Sequence, residues 1–170
     1  KQPLDAVSDE TFWKTEADAQ LALVGCYFID MGGGRAGADF WHTQSFFYLE
    51  MAAGNGSETN LRPDHITDGT LTSSNDYTAG NWQNAYLKIA ACNNFLQHIT
   101  DIDMDGSRKD MMIAEVRTIR AYEYLNLALF FGDVPLADHV LSIAEANSIS
   151  RTPKAEVLAF AENDLKESYA

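Results

Sequence analysis

Long apolar runs are missing from this chain. The longest, such as Leu127 to Phe131, fall far short of the roughly 20 residues that a membrane-spanning helix needs. Positive charge is also scarce: 12 lysines and arginines stand against 25 aspartates and glutamates, a formal charge of −13 at pH 7. Such a surface repels phosphate backbones and anionic membranes, so nucleic acid is excluded as an expected partner. Cysteine is limited to Cys26 and Cys92, each inside an apolar helical pattern and with no second cysteine near it in sequence. Neither a metal knuckle nor a disulfide framework is suggested, and both read as small buried hydrophobes. The histidines His42, His65, His98 and His139 are scattered, without a pair at ligand spacing. No glycine-rich run precedes Lys-Ser or Lys-Thr, which excludes a phosphate loop. Gly32, Gly34 and Gly37 have dinucleotide spacing, but they follow a predicted helix where that site requires a strand.

What the chain does contain is helical periodicity. Its 170 residues suffice for one domain with a sizeable core. Thr15 and Asp18 form a loose capping box, after which the apolar spacing predicts a helix from about Glu16 to Asp30. Phe40 to Met51 is a second, shorter helical candidate. The stretch Ala53 to Asn75 carries Gly54, Gly56, Pro63 and Gly69 and no sustained period, which predicts a long irregular loop of the kind that often serves function. Trp82, Ala85, Tyr86, Ile89, Asn93 and Leu96 share one helical stripe.

A further helix is predicted from about Arg108 to Phe131. Between Ala121 and Phe131 only Glu123 and Asn126 are strongly polar, so it packs on most sides. Gly132 supplies the left-handed position that ends a helix, and Pro135 prevents its resumption. An acidic-apolar segment, Asp138 to Ser150, leads to Thr152 as N-cap and Pro153 at the first position of a last helix. The fold class expected is all-α, built of antiparallel helical pairs with a long loop insertion.

Several groups invite a chemical role. Arg117 and Arg120 sit one turn apart beside apolar residues, where a guanidinium is costly unless a carboxylate receives it. A structural role is expected, with Glu115, Glu123 or an acid on an adjoining segment as partner. Asp101, Asp103, Asp105 and Gly106 match the first half of a calcium loop, but the twelfth position is Met112 in place of a bidentate glutamate and the ninth is Lys109. An acidic interhelical turn is the simpler expectation, with calcium binding as an alternative and no metal or other cofactor expected. Glycoside hydrolysis needs two carboxylates held across a bond. Glu50, Glu58 and Asp64 lie in or near the long loop, and nothing singles out a pair, so no enzymatic activity is expected.

Glu115, Arg117, Arg120-Ala121, Tyr124-Leu125 and Phe131-Gly132-Asp133-Val134-Pro135 resemble the arginine-alanine helix and its exit in the SusD/RagB family. Asn81-Trp82, Tyr86, Ile89 and Asn93 resemble the preceding helix of that family. Leu4-Asp5 with Thr11 to Asp18 is similar to its mature amino terminus, and Arg151-Thr152-Pro153 through Asp164-Leu165 to its next helix. The resemblance implies a tetratricopeptide-like scaffold, although Trp82 and Tyr86 are four apart and not the seven of the strict repeat. It implies a surface lipoprotein of the outer membrane of Bacteroidetes that binds glycan nutrients for a SusC-type TonB-dependent transporter. Residues 1–170 are then expected to be the amino-terminal helical domain of a longer protein, with the secretion signal and lipidated cysteine trimmed away.

In the family the sugar contacts are on variable loops, so none is carried over by the helical motifs. Trp82 and Tyr86 could stack on a sugar, but their place on an apolar stripe favours packing. Trp41, Asp68, Asn75 and Tyr77 lie in or beside the irregular region and are the candidates for stacking on, and hydrogen bonding to, a pyranose. The alternative is a helical-repeat adaptor that binds protein or peptide only.

Overall fold

The computed structural model of the protein describes residues 12–27, 50, 53–55, 69–70, 72–73 and 76–169, with the backbone alone at 76 and 77. Two compact units divide the chain, one of Lys1–Phe28 with Lys88–Ala170 and one of Ile29–Leu87. The helices are α1 (Glu16–Tyr27), α2 (Asp76–His98), α3 (Gly106–Phe131), α4 (Ile143–Ser148) and α5 (Lys154–Tyr169), with a 3-10 turn at Ile99–Asp101. Strands β1 (Val134–Pro135) and β2 (Arg151–Thr152) make one short antiparallel ladder, Val134 opposite Thr152 and Pro135 opposite Arg151. The class is all-α. Of the predicted helix Phe40 to Met51 only Glu50 is described, and it is helical and exposed; most of the loop Ala53 to Asn75 lies outside the described residues, and residues 53–55, 69–70 and 72–73 of it are exposed turn or irregular structure.

In the first unit, α1 begins where its sequence signal stands. The Asp18 amide donates to Thr15 Oγ1 at 3.3 Å and the Thr15 amide to Asp18 Oδ2 at 2.8 Å, a reciprocal cap that satisfies donors the first turn leaves orphaned. Ala19, Leu23 and Cys26 are the buried positions of α1. They join Phe95, Ile99, Ile102, Met112, Val116 and Ile119 in one apolar cluster.

Helix α3 buries Met112, Val116, Ile119, Arg120, Ala121, Glu123, Tyr124, Leu127 and Ala128, residues mostly three and four apart that turn one broad face inward from Met112 to Ala128. It starts on Asp105, whose Oδ1 accepts from the Arg108 amide at 3.0 Å. It ends on Gly132, whose amide donates to the Ala128 carbonyl and whose φ is 75°. The ψ there is −122°, so this residue lies in the mirror-extended region and not in the left-handed helical one. Either region favours glycine.

Helix α5 packs on α3, and its entry differs by one residue from expectation. The Val157 amide donates to the Pro153 carbonyl, which puts Pro153 at the cap, and Thr152 is drawn into the ladder with Val134. The Lys154 amide is instead received by Asp133 Oδ1 at 2.8 Å, from the far side of the ladder. Helix α4 occupies part of the segment Asp138 to Ser150 and begins with a complete capping box, Ser142 with Glu145.

In the second unit, the rings of Trp82 and Tyr86 stand 5.0 Å apart and both are half-buried. Asn81, Asn84 and Ala85 are the buried residues beside them.

Candidate functional site

Of the candidate glycan contacts, Trp41, Asp68 and Asn75 lie outside the described residues, and Tyr77 falls in the first turn of α2, where only backbone is described. What the structure does describe in detail is a polar framework that follows them in sequence, and it centres on Arg120.

Arg120 is buried, and its guanidinium is surrounded by acceptors. Nε donates to Asp164 Oδ2 at 2.7 Å and Nη2 to Asp164 Oδ1 at 2.8 Å, a bidentate pair from α3 to α5. Nη1 donates to Asn93 Oδ1 at 2.7 Å and to the Asp138 carbonyl at 3.2 Å. The Phe160 ring closes the remaining side, its centroid 4.9 Å from the guanidinium carbon. The acid that receives this arginine is therefore Asp164, and neither Glu115 nor Glu123. Arg117 lies on the outer edge of the same pair, 3.6 Å from Asp164 Oδ1 and ion-paired with Glu167.

The irregular arm after β1 is held by the same group of residues. Asn93 Nδ2 donates to the carbonyls of Ala137 and His139, each at 2.9 Å. The Tyr124 hydroxyl donates to the Ala137 carbonyl and accepts from the Ala137 amide, both at 2.8 Å. Burial pushes the Tyr124 hydroxyl far above the usual phenol range, so it stays protonated. Glu123, one turn further along α3, is 3.6 Å from Lys88 Nζ, with both side chains fully buried. These contacts fix where the part of α2 from Lys88 onward, α3, α5 and the arm sit within the first unit.

At the tip of that arm His139 is exposed. Its Nδ1 is 2.6 Å from Asp138 Oδ1, and that contact, with Glu145 beyond it, raises the histidine above its ordinary value. Glu145 is lowered, first by its hydrogen bonds to Ser142 and then by His139.

A groove of ≈ 620 Å³ runs between α1 and α3, lined by Glu16, Gln20, Arg108 and Glu115 among others. Arg108 bridges it, ion-paired with Glu16 and donating to Gln20 Oε1 at 3.3 Å. The Tyr27 hydroxyl donates to Glu115, and burial together with that carboxylate pushes its pKa up to about 12. The groove did not emerge from the sequence, although Glu16 and Gln20 are one turn apart and share a face of α1.

The calcium-like turn does not converge. Asp105 caps α3, and Lys109 Nζ donates to the carbonyls of Thr100 at 3.2 Å and Ile102 at 2.6 Å. Among the described residues no three acids, histidines or cysteines are grouped as metal ligands, and no helix is long and apolar enough to cross a membrane.

A helical scaffold with a buried arginine hub and a glycine-proline exit is the class of protein defined so far. The profile of a SusD-like family described as "Starch-binding associating with outer membrane" matches residues 4–170, and the chain belongs to that family. It is 28% identical over 162 residues to SusD-like protein P2 of Formosa agariphila, covering 92% of this chain and 31% of that relative. A solved SusD-like carbohydrate binding protein from Bacteroides fragilis superposes with a TM-score of 0.74 at 29% identity, over 93% of this chain and 32% of that one. A laminarin binding SusD-like protein superposes with a TM-score of 0.73 at 26% identity, over 92% and 34%. The chain thus spans about a third of the length of these relatives.

Proposed function

We propose that the chain is the helical part of a surface protein that binds oligosaccharide or polysaccharide nutrients without cleaving them and passes them to a SusC-type TonB-dependent transporter. The protein is anchored by lipid in the outer membrane. The observation that carries this is the family match over residues 4–170, and it is supported by the laminarin-binding neighbour. The hub around Arg120 supplies rigidity, which a shallow binding surface needs more than it needs a deep cavity. Trp41 and Tyr77 offer aromatic faces to a pyranose, while Asp68 and Asn75 offer oxygens to its hydroxyls. No cofactor or metal takes part.

Calorimetric titration of the full-length protein with laminarin, starch and unrelated peptides tests this. Saturable binding of at least one glycan is expected, weakened about tenfold or more by Trp41→Ala or Tyr77→Ala, which corresponds to about 1.4 kcal/mol, with the glycan recovered at its original length. Peptide binding with indifference to every sugar would instead point to an adaptor, and a shortened glycan to an enzyme; either result overturns the proposal.

A further inference from the structure

The groove between α1 and α3 is acidic, and one of its walls runs on into an apolar face. Its lining carries three carboxylates, Glu16, Asp105 and Glu115, against the single guanidinium of Arg108. Arg108 answers Glu16. Asp105 and Glu115 receive neutral donors, the Arg108 amide and the Tyr27 hydroxyl, and a hydrogen bond from a neutral donor leaves the negative charge in place. The groove therefore keeps an excess of negative charge.

Along α3 the groove residues Met111 and Glu115 are followed by Thr118, Tyr122, Leu125 and Leu129, at intervals of three and four that lie on one face of a helix. Helix α1 stops at Tyr27, whose hydroxyl reaches Glu115. Beyond that level the face carries Leu125 and Leu129, 38% and 57% exposed, while Met111, 70% exposed, stands at the groove itself. At roughly 1.5 Å per residue the face from Met111 to Leu129 is about 27 Å long.

We propose that this face is a docking surface for a basic amphipathic segment of a protein partner. Lysine or arginine side chains at one end of the segment enter the groove beside Asp105 and Glu115, and its apolar run lies along Tyr122, Leu125 and Leu129. Charge complementarity selects this occupant. A second copy of the chain, with its formal charge of −13, brings acid to acid, and an anionic lipid surface does the same. The exposed leucines require more than a lone amine, and a segment helical over its apolar part presents side chains at the same spacing of three and four. The surface uses none of Trp41, Asp68, Asn75 or Tyr77, so it stands apart from the glycan reading.

Fluorescence anisotropy tests this on the full-length protein, with a labelled synthetic peptide of about 18 residues, the length of the face. Lysines are grouped at one end of the peptide and leucines stand at every third or fourth position over the rest; a second peptide has glutamate in place of each lysine. Saturable binding of the lysine peptide is expected, weakening as salt is added. The glutamate peptide should bind about tenfold or more weakly, and so should the lysine peptide to Asp105→Asn with Glu115→Gln, or to Leu125→Ser with Leu129→Ser. Asparagine still caps α3 and glutamine still accepts from Tyr27, so the first of these double variants decides if the second fails to fold. Glu156→Gln with Glu162→Gln removes the same charge from exposed positions of α5 and should leave the affinity within about twofold. Equal binding of the two peptides, or equal losses from the groove pair and the α5 pair, would overturn the proposal. So would the lack of saturable binding, the result if the rest of the full-length chain covers this face.

Discussion

Arg108 and Arg120 stand on the same helix and each pairs with an acid on a neighbouring one, yet they are different kinds of residue. The Arg108 side chain is 55% exposed and bridges the open groove to Glu16. The Arg120 side chain is 7% exposed, and its acid partner Asp164 is 2% exposed. Water can replace any contact that Arg108 loses. Around Arg120 burial leaves little room for solvent, and each of its three nitrogens donates to Asp164, Asn93 or the Asp138 carbonyl. What separates a structural arginine from a surface one is therefore the number of acceptors that desolvation obliges it to find, and not the presence of an ion pair.

Three substitutions break or sharpen that contrast. Asp164→Ala strands the Arg120 guanidinium without its carboxylate and is expected to cost about 3–5 kcal/mol of folding stability, measured by denaturant unfolding. A loss below about 1 kcal/mol, in the range of an exposed pair, would mean that the hub is no stronger than the groove. Gly132→Ala tests the exit of α3 apart from its charges. Nothing lies within 4 Å of an added Cβ, so the expected loss of about 1–3 kcal/mol comes from the positive φ of 75° alone. Glu16→Gln removes the partner of Arg108 and is expected to cost no more than about 1 kcal/mol, shrinking further as salt is added. Thermal unfolding at low and high ionic strength reads this directly, and a cost that persists in salt would refute it.

The difference between the two arginines was partly legible in the sequence. The apolar neighbours Val116, Ala121 and Tyr124 announce that Arg117 and Arg120 need acids, because a helical stripe reports burial. The identity of the acid was not legible. Asp164 lies on another helix, and its meeting with Arg120 depends on how α5 seats against α3, which no local pattern encodes. Helix ends read well where the signal is local, as at Thr15 with Asp18 or Gly132, and poorly where another element intervenes. Thr152 had the chemistry of a cap, but pairing with Val134 claimed it and Asp133 took over part of the role. Helix α4 was overlooked although Ser142 and Glu145 have capping-box spacing, because its short run lacks a buried face to mark it. The candidate sugar contacts Trp41, Asp68, Asn75 and Tyr77 rest on composition and loop placement alone, since aromatic and amide groups carry no period by which a ligand could be recognised.

The double contact of Ala137 with Tyr124 has a consequence for how this arm opens. Its amide belongs to no helix or strand, yet its proton is given to a buried hydroxyl, and the neighbouring carbonyls are claimed by Asn93. Exchange of that proton with solvent requires the arm to leave α2 and α3 together. In a deuterium-exchange experiment an irregular residue therefore serves as a reporter of the arm's docking, its slow isotope uptake tracking release of the arm from α2 and α3 rather than the fraying of a loop.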